Sequence, residues 1–218
     1  MFRKFIDHLV ITAPSLEAGA TYVHDALGVS PRPGGEHLRM GTHNLLLRLG
    51  ESSYLEVIAA NPAAARPTRP RWFALDALGA DAKPSLATWV ARTADIRAGS
   101  KAATEQLGAI ESMSRGALEW LITLPADGSL PLDGVAPALI EWHSDTHPAS
   151  RLDDYGLSLR KLELFHPDPE RVTRLLKSLA IDGPVVVEKS AVTARLVAHI
   201  ETPQGMRTLS TATAGSAG

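Results

Sequence analysis

The chain has 218 residues, 44% of them hydrophobic and 21% charged, with a net charge of −2, the profile of a globular protein long enough to bury a core without staples. That balance offers no basic surplus for nucleic acid or anionic lipid, and the absence of cysteine excludes disulfides, Cys-ligated zinc, iron–sulfur clusters and thiol nucleophiles. No apolar stretch reaches membrane-spanning length, and Asp7 and His8 interrupt the first apolar run before a signal-peptide core forms, so a cytoplasmic protein that handles a small molecule, without nucleic acid or membrane partners, is expected.

Phe2–Thr12 is rich in β-branched and aromatic residues and predicts a strand. Pro14 ends it, Ser15 is placed to cap a helix over Leu16–Leu27, and Gly28 is placed to stop that helix in the left-handed region. Leu16, Ala20, Val23 and Leu27 share one face of the helix. Ser30–Glu36 is turn-rich. A short strand around His37–Met40, then strands at His43–Leu49 and Ser53–Ala59, complete a βαβββ order.

The arrangement returns after a Pro-, Ala- and Arg-rich connection over 61–71. At a spacing of 80 residues, Val10 matches Val90, Leu16 matches Ile96, Gly19 matches Gly99 and Gly28 matches Gly108. Strands at Leu118–Leu124 and Ala138–Trp142 follow. Each copy closes on an apolar strand that carries a carboxylate, Glu56 in the first and Glu141 in the second, at a spacing of 85 residues. A duplicated βαβββ module accounts for this. A third, partial copy follows: a strand at Ser158–Phe165, a helix started by Asp168-Pro169-Glu170, and strands at Val185–Glu188 and Thr193–Glu201. The division expected is a first module at 1–62, a second at 84–148, a C-terminal partial module at 156–209 and a disordered tail at 210–218.

His8, Glu56 and Glu141 each interrupt an apolar strand. A buried carboxylate needs a partner, a hydrogen bond or a cation, and two that converge repel unless a metal or proton lies between them. Imidazole nitrogen with carboxylate oxygens and no sulfur suits Mn, Fe, Ni, Co or Zn. The competing reading is that each side chain points to water, as single polar residues on antiparallel strands do. His37, His43 and Asn44 lie in a Gly-rich stretch that lines a cavity mouth or makes a turn. Trp89, Trp120 and Trp142 read as packing, and His143 and His147 as loop residues. No Walker loop, Gly-x-Ser-x-Gly elbow or dinucleotide fingerprint is present.

Several blocks together carry a resemblance. They are Asp7-His8-Leu9-Val10-Ile11 with Leu27-Gly28-Val29, Gly34-Gly35-Glu36-His37 with Gly41-Thr42-His43-Asn44, Tyr54-Leu55-Glu56, Trp89 to Asp95, and Pro137 to Trp142. In this order they resemble the glyoxalase-like group of the vicinal oxygen chelate (glyoxalase/bleomycin resistance/dioxygenase) superfamily over roughly residues 5–150, a domain-sized span. The resemblance implies an α+β fold in which paired βαβββ modules form a cupped mixed sheet, here with an additional C-terminal βαββ half-module. It also implies a divalent metal (Zn, Mn, Ni or Fe) held by His8, Glu56 and Glu141, with Glu56 and Glu141 catalytic. The fourth ligand position falls on Thr88, which joins His43 and Asn44 as a pocket residue. The function implied is a metal-dependent lyase or isomerase acting on a small substrate with vicinal oxygens. The alternative is a metal-free small-molecule-binding protein of the bleomycin-resistance type, which the missing fourth ligand favours. The oligomeric state stays open, with a homodimer through an exposed strand edge as one option.

Overall fold

A computed structural model of the protein describes residues 5–144 and 146–212. The first strand, β1 (Phe5–Thr12), leads into helix α1 (Leu16–Leu27), whose ends are set as expected: Ser15 Oγ accepts from the Ala18 N–H, and Gly28 takes φ 75°. Strands β2 (Arg32–His37), β3 (Thr42–Arg48) and β4 (Tyr54–Ala60) complete the first module. The strand expected at His37–Met40 is instead a 3-10 turn over Leu38–Met40, and the strand β2 occupies the stretch read as turn-rich. Pro33, Gly34 and Gly35 are poor strand formers, but β2 is an edge strand pairing only with β3, the place where a sheet accepts proline.

The second module comprises β5 (Ser85–Arg92), α2 (Ile96–Ala102), β6 (Ala109–Arg115), β7 (Leu118–Leu124) and β8 (Ala138–Trp142). Strand β6, the opposite edge, was not visible in the sequence pattern. The eight strands form one sheet in the order β2-β3-β4-β1-β5-β8-β7-β6, which curls until β2 and β6 touch. The α+β class and the cupped sheet of paired modules are therefore as the resemblance implied. No helix of the described residues is long and apolar enough to cross a membrane.

The joint between the modules fixes the internal symmetry. Across the antiparallel β1–β5 pair, Leu9 lies opposite Trp89, His8 opposite Val90 and Val10 opposite Thr88. A two-fold through the Leu9–Trp89 pair carries His8 onto Thr88, the spacing of 80 read from the sequence. In the parallel pairs, Val10 lies opposite Glu56 and Val90 opposite Ala138. The same operation therefore carries Glu56 onto Ala138 rather than onto Glu141.

A C-terminal unit follows: β9 (Ser158–His166), α3 (Pro169–Ser178), β10 (Val185–Lys189), β11 (Arg195–Thr202) and β12 (Gly205–Ser210). It carries one strand beyond the βαββ expected, and its order, β10-β9-β11-β12, differs from that of the modules. Ser210 ends β12, and Thr211 Oγ1 donates to the Leu86 carbonyl at 2.8 Å. The rest of the expected tail, 213–218, lies outside the described residues.

Two apolar layers result. On the convex side, Leu9, Val23, Leu55, Trp89 and Leu139 share one core with Leu164, Leu175, Leu196 and Ile200 of the C-terminal unit. On the concave side, Val10, Ile58, Val90, Ile122 and Ile140 pack with Trp72, Phe73 and Trp120. Trp72 and Phe73 belong to the connection between the modules, which reaches into the cup. Phe73 and Ala74 both take left-handed φ values of 55° and 54°. The Ala74 N–H donates to the Gly128 carbonyl at 2.8 Å, which ties that strained turn to the second module.

Candidate functional site

β1 and β4 run side by side, so His8 and its register partner Tyr54 stand on the concave face with Glu56. The imidazole stacks on the Tyr54 ring at 4.6 Å between centroids. His8 is 4% exposed and Glu56 6%. His8 Nε2 lies 3.6 Å from Glu56 Oε2, close but beyond hydrogen-bonding range. Asn44, diagonal to Glu56 on β3, donates from Nδ2 to Glu56 Oε1 at 2.5 Å.

Behind His8 lies Asp7, fully buried. His8 Nδ1 donates to Asp7 Oδ1 at 2.7 Å, while Trp142 Nε1 and His147 Nε2 donate to Oδ2, each at 2.9 Å. Burial alone would push this carboxyl up; the hydrogen bonds from His147 and His8 outweigh it and hold it well below the ordinary range. The Ala149 N–H donates to His147 Nδ1 at 3.3 Å, which assigns the His147 proton to Nε2. The short contact with the Asp7 carboxylate places a proton on His8 Nδ1 and turns Nε2 towards Glu56, the orienting arrangement of a histidine that acts as a base or a ligand.

The opposite wall is built from β2, β6 and the connection. His37 Nδ1 lies 3.2 Å from Thr42 Oγ1, and Arg115 Nη1 lies 3.5 Å from His37 Nε2. Burial drives the His37 pKa down to about 4, with Glu56 opposing and Arg115 reinforcing, so the ring is neutral at neutral pH. Arg115 reaches this place because Gly35 carries no side chain: a Cβ there would stand 2.9 Å from Arg115 Cδ, at a φ of 146°. Trp72, Phe73, Trp120, Ile122, Ile140 and Trp142 close the pocket around these groups.

Of the residues expected to form a metal site, the structure brings His8 and Glu56 together and leaves Glu141 outside. Ile140 and Trp142 point into the cup, so Glu141 between them faces the convex side. There its Oε2 accepts from the Ile96 N–H at the start of α2 at 2.7 Å, and its Oε1 lies 2.8 Å from His143 Nε2. The correction follows from strand alternation: a spacing of 85 rather than 82 changes the face. Thr88 does face the cup, but in a separate compartment behind Trp72 and Phe73, and its hydroxyl donates to the Gly134 carbonyl at 3.0 Å. His43 alternates away from Asn44 and does not line the pocket, whereas Asn44 supports Glu56 directly.

The donor set decides how well a metal fits. First-module positions supply one imidazole nitrogen and one carboxylate, and the second-module counterparts are Thr88, engaged with backbone, and Ala138. Among the described residues no group of three or more His, Cys, Asp or Glu side chains is placed to hold an ion. The Arg115 guanidinium in the same pocket adds positive charge. Two protein ligands beside a cation do not make the three- or four-ligand site that the resemblance implied.

Sequence reasoning missed Asp7, Arg115 and Trp72 as site residues. The adjacent Asp7-His8 pair was a usable signal for the first. Trp120 and Trp142, read as packing, pack and also wall the pocket, whereas Trp89 lies in the convex core and donates to the Val135 carbonyl at 3.0 Å.

Comparison with known proteins adds a family and a fold. The family model described as "Glyoxalase-like domain" matches residues 6–180. A hypothetical protein from Staphylococcus aureus superposes with a TM-score of 0.63 at 13% identity, over 88% of each chain. Methylmalonyl-CoA epimerase from Streptomyces coelicolor gives 0.41 at 19% identity, covering 64% of this chain and 97% of its own. A mutant of 4-hydroxymandelate synthase from the same organism gives 0.43 at 14% identity, covering 96% and 63%. No curated protein sequence matches the chain significantly.

Proposed function

The chain belongs to the glyoxalase-like domain family of the vicinal oxygen chelate superfamily, and on that premise we propose that it is an isomerase or lyase that moves a proton on a small oxygenated substrate, using side chains in place of a resident metal. One observation carries the reading: the buried line Asp7–His8–Glu56, in which an anchored carboxylate fixes an imidazole with its free nitrogen 3.6 Å from a second carboxylate. Paired bases of this kind serve proton abstraction beside a carbonyl.

In this reading the substrate enters between His8 and Arg115. His8 Nε2 takes a proton from the carbon next to the carbonyl, the C–H electron pair moves into the carbonyl, and the enolate oxygen is stabilised by the Arg115 guanidinium. Asp7 stabilises the imidazolium, as the carboxylate of an Asp–His pair does. With a hydroxyl on the deprotonated carbon, return of the proton to the former carbonyl carbon and passage of the hydroxyl proton to the enolate oxygen complete an isomerisation; with a leaving group on the carbon beyond, its departure with the electron pair completes an elimination. Glu56, beside Nε2, offers a second position from which the proton can return.

The aromatic wall of Trp72, Phe73, Trp120 and Trp142 favours a second reading, a protein that holds a small planar molecule without transforming it. Solvent exchange separates the two. The chain is incubated in D2O with pyruvate, glyceraldehyde and dihydroxyacetone, and loss of the α-proton signal is followed by proton NMR. The wild-type chain is expected to accelerate exchange of at least one compound, and His8→Ala to slow it at least ~100-fold, the scale of a general base. Binding without exchange, or exchange indifferent to His8→Ala, overturns the proton-transfer reading.

A further inference from the structure

We propose, deepening that reading and resting on it, that the pocket selects a small carboxylate, gripped by the Arg115 guanidinium and the indole N–H of Trp72. Three observations meet on one wall. Trp72 is 3% exposed, and its Nε1 has no hydrogen-bond partner among the described residues. Trp89 and Trp142, by contrast, donate to the Val135 carbonyl and to Asp7 Oδ2. A buried donor left without an acceptor is rare in native proteins, and a bound molecule is one way in which it is completed.

Arg115 is the second observation. Among the described residues its guanidinium makes one hydrogen-bond contact, the 3.5 Å approach to His37, and no carboxylate stands within 4.0 Å of it. A half-buried guanidinium without a counter-ion, facing a pocket, is built to receive a planar anion through two parallel N–H bonds. His37 joins the two donors. Its ring meets Trp72 edge-on at 4.9 Å between centroids, and its Nε2 faces Arg115. Being neutral, it steers the guanidinium without competing for the anion.

Charge and shape set the orientation. Glu56 also lines the pocket, next to His8, and repels an anion, so the substrate carboxylate is directed to Arg115 and Trp72 and the carbon to be deprotonated to His8. A flat carboxylate flanked by aromatic faces also fits this wall better than a tetrahedral phosphate, which one guanidinium and one N–H satisfy poorly.

Isothermal titration calorimetry on the full chain tests this with pyruvate, its uncharged analogue pyruvamide, and methyl phosphate. Pyruvate is expected to bind at least tenfold more tightly than either of the others. Trp72→Phe, which keeps an aromatic ring and removes the N–H, is expected to weaken pyruvate about tenfold and leave pyruvamide unchanged. Arg115→Met, a half-exposed change that leaves the core untouched, is expected to erase the preference and guards against misfolding of the Trp72 variant, with circular dichroism checking both. Absence of pyruvate binding, equal binding of pyruvate and pyruvamide, tighter methyl phosphate, or a Trp72→Phe variant of unchanged affinity and preference overturns the proposal. The exchange assay keeps the two readings apart. Selective binding of pyruvate without exchange ends the proton-transfer reading and leaves the clamp. Exchange of dihydroxyacetone by the wild-type chain that His8→Ala removes, together with equal binding of pyruvate and pyruvamide, ends the clamp and leaves proton transfer.

Discussion

Asp7 stays charged in the interior because three donors, His8 Nδ1, His147 Nε2 and Trp142 Nε1, converge on its two oxygens. That network makes His8 Nδ1 a donor to Asp7 and sets the orientation of the ring, on which the proposed proton transfer depends. His37 sits opposite with its pKa pushed down to about 4, against an ordinary 6.5, chiefly by burial. The sign of its effect follows: as pH falls through 6.5 the unfolded chain takes up a proton that the folded chain refuses until about pH 4. Stability is therefore full above pH 6.5 and is lost between 6.5 and 4, on the order of 3 kcal/mol from this group. Urea unfolding at pH 7.0 and 4.5 checks it; the wild-type chain should lose markedly more stability over that interval than His37→Gln, and equal losses would show that His37 is not the source. His8 and Glu56 were legible in the sequence as polar breaks in apolar strands. Arg115 and Trp72 were not, because one lies on an edge strand and the other in the inter-module connection. Only the curl of the sheet brings both to the pocket.

At the scale of elements, the interior strands and the helices could be read, as could the edge strand β10, whereas the other three edges could not. β1, β4, β5, β7 and β8 are apolar because both faces of the sheet are covered, and α1 begins and ends on strong cap signals. Strands β2, β6 and β12 lie at sheet edges, where proline, glycine and charged residues are tolerated and the alternating pattern fades. The repeat was legible through its helix. Gly19 lets α1 lie directly on β4, since a Cβ there would fall 2.3 Å from Val57 Cγ1. Gly19→Ala is expected to destabilise the chain by ~1–3 kcal/mol through overpacking. A lower thermal midpoint would bear this out, and an unchanged one would show that the helix can shift without loss. The paired carboxylates misled because Glu56 and Glu141 are alike in sequence and opposite in facing: one enters the cup, the other accepts from the first amide of α2.

Across the whole molecule the two modules have diverged into different tasks. The first supplies His8 and Glu56; the second, with Thr88 and Ala138 at the matching places, supplies walls and Arg115. The connection between them fills the vacated half of the cup with Trp72 and Phe73, which line both compartments. The C-terminal unit shares the convex core with both modules, so the chain should fold around that core as one piece rather than as three separable ones. This division of labour is tested most directly by measuring solvent-deuterium exchange and thermal unfolding on Glu56→Gln and Glu141→Gln side by side. Glu56→Gln should lower exchange by ~10-fold or more, the low end of the range for a group that takes part in proton transfer, and melt close to the wild-type chain. Glu141→Gln should exchange at the wild-type rate and lose about 1 kcal/mol of stability, the scale of a weakened helix cap. If Glu141→Gln abolished exchange while Glu56→Gln preserved it, the site would not be where the fold puts it.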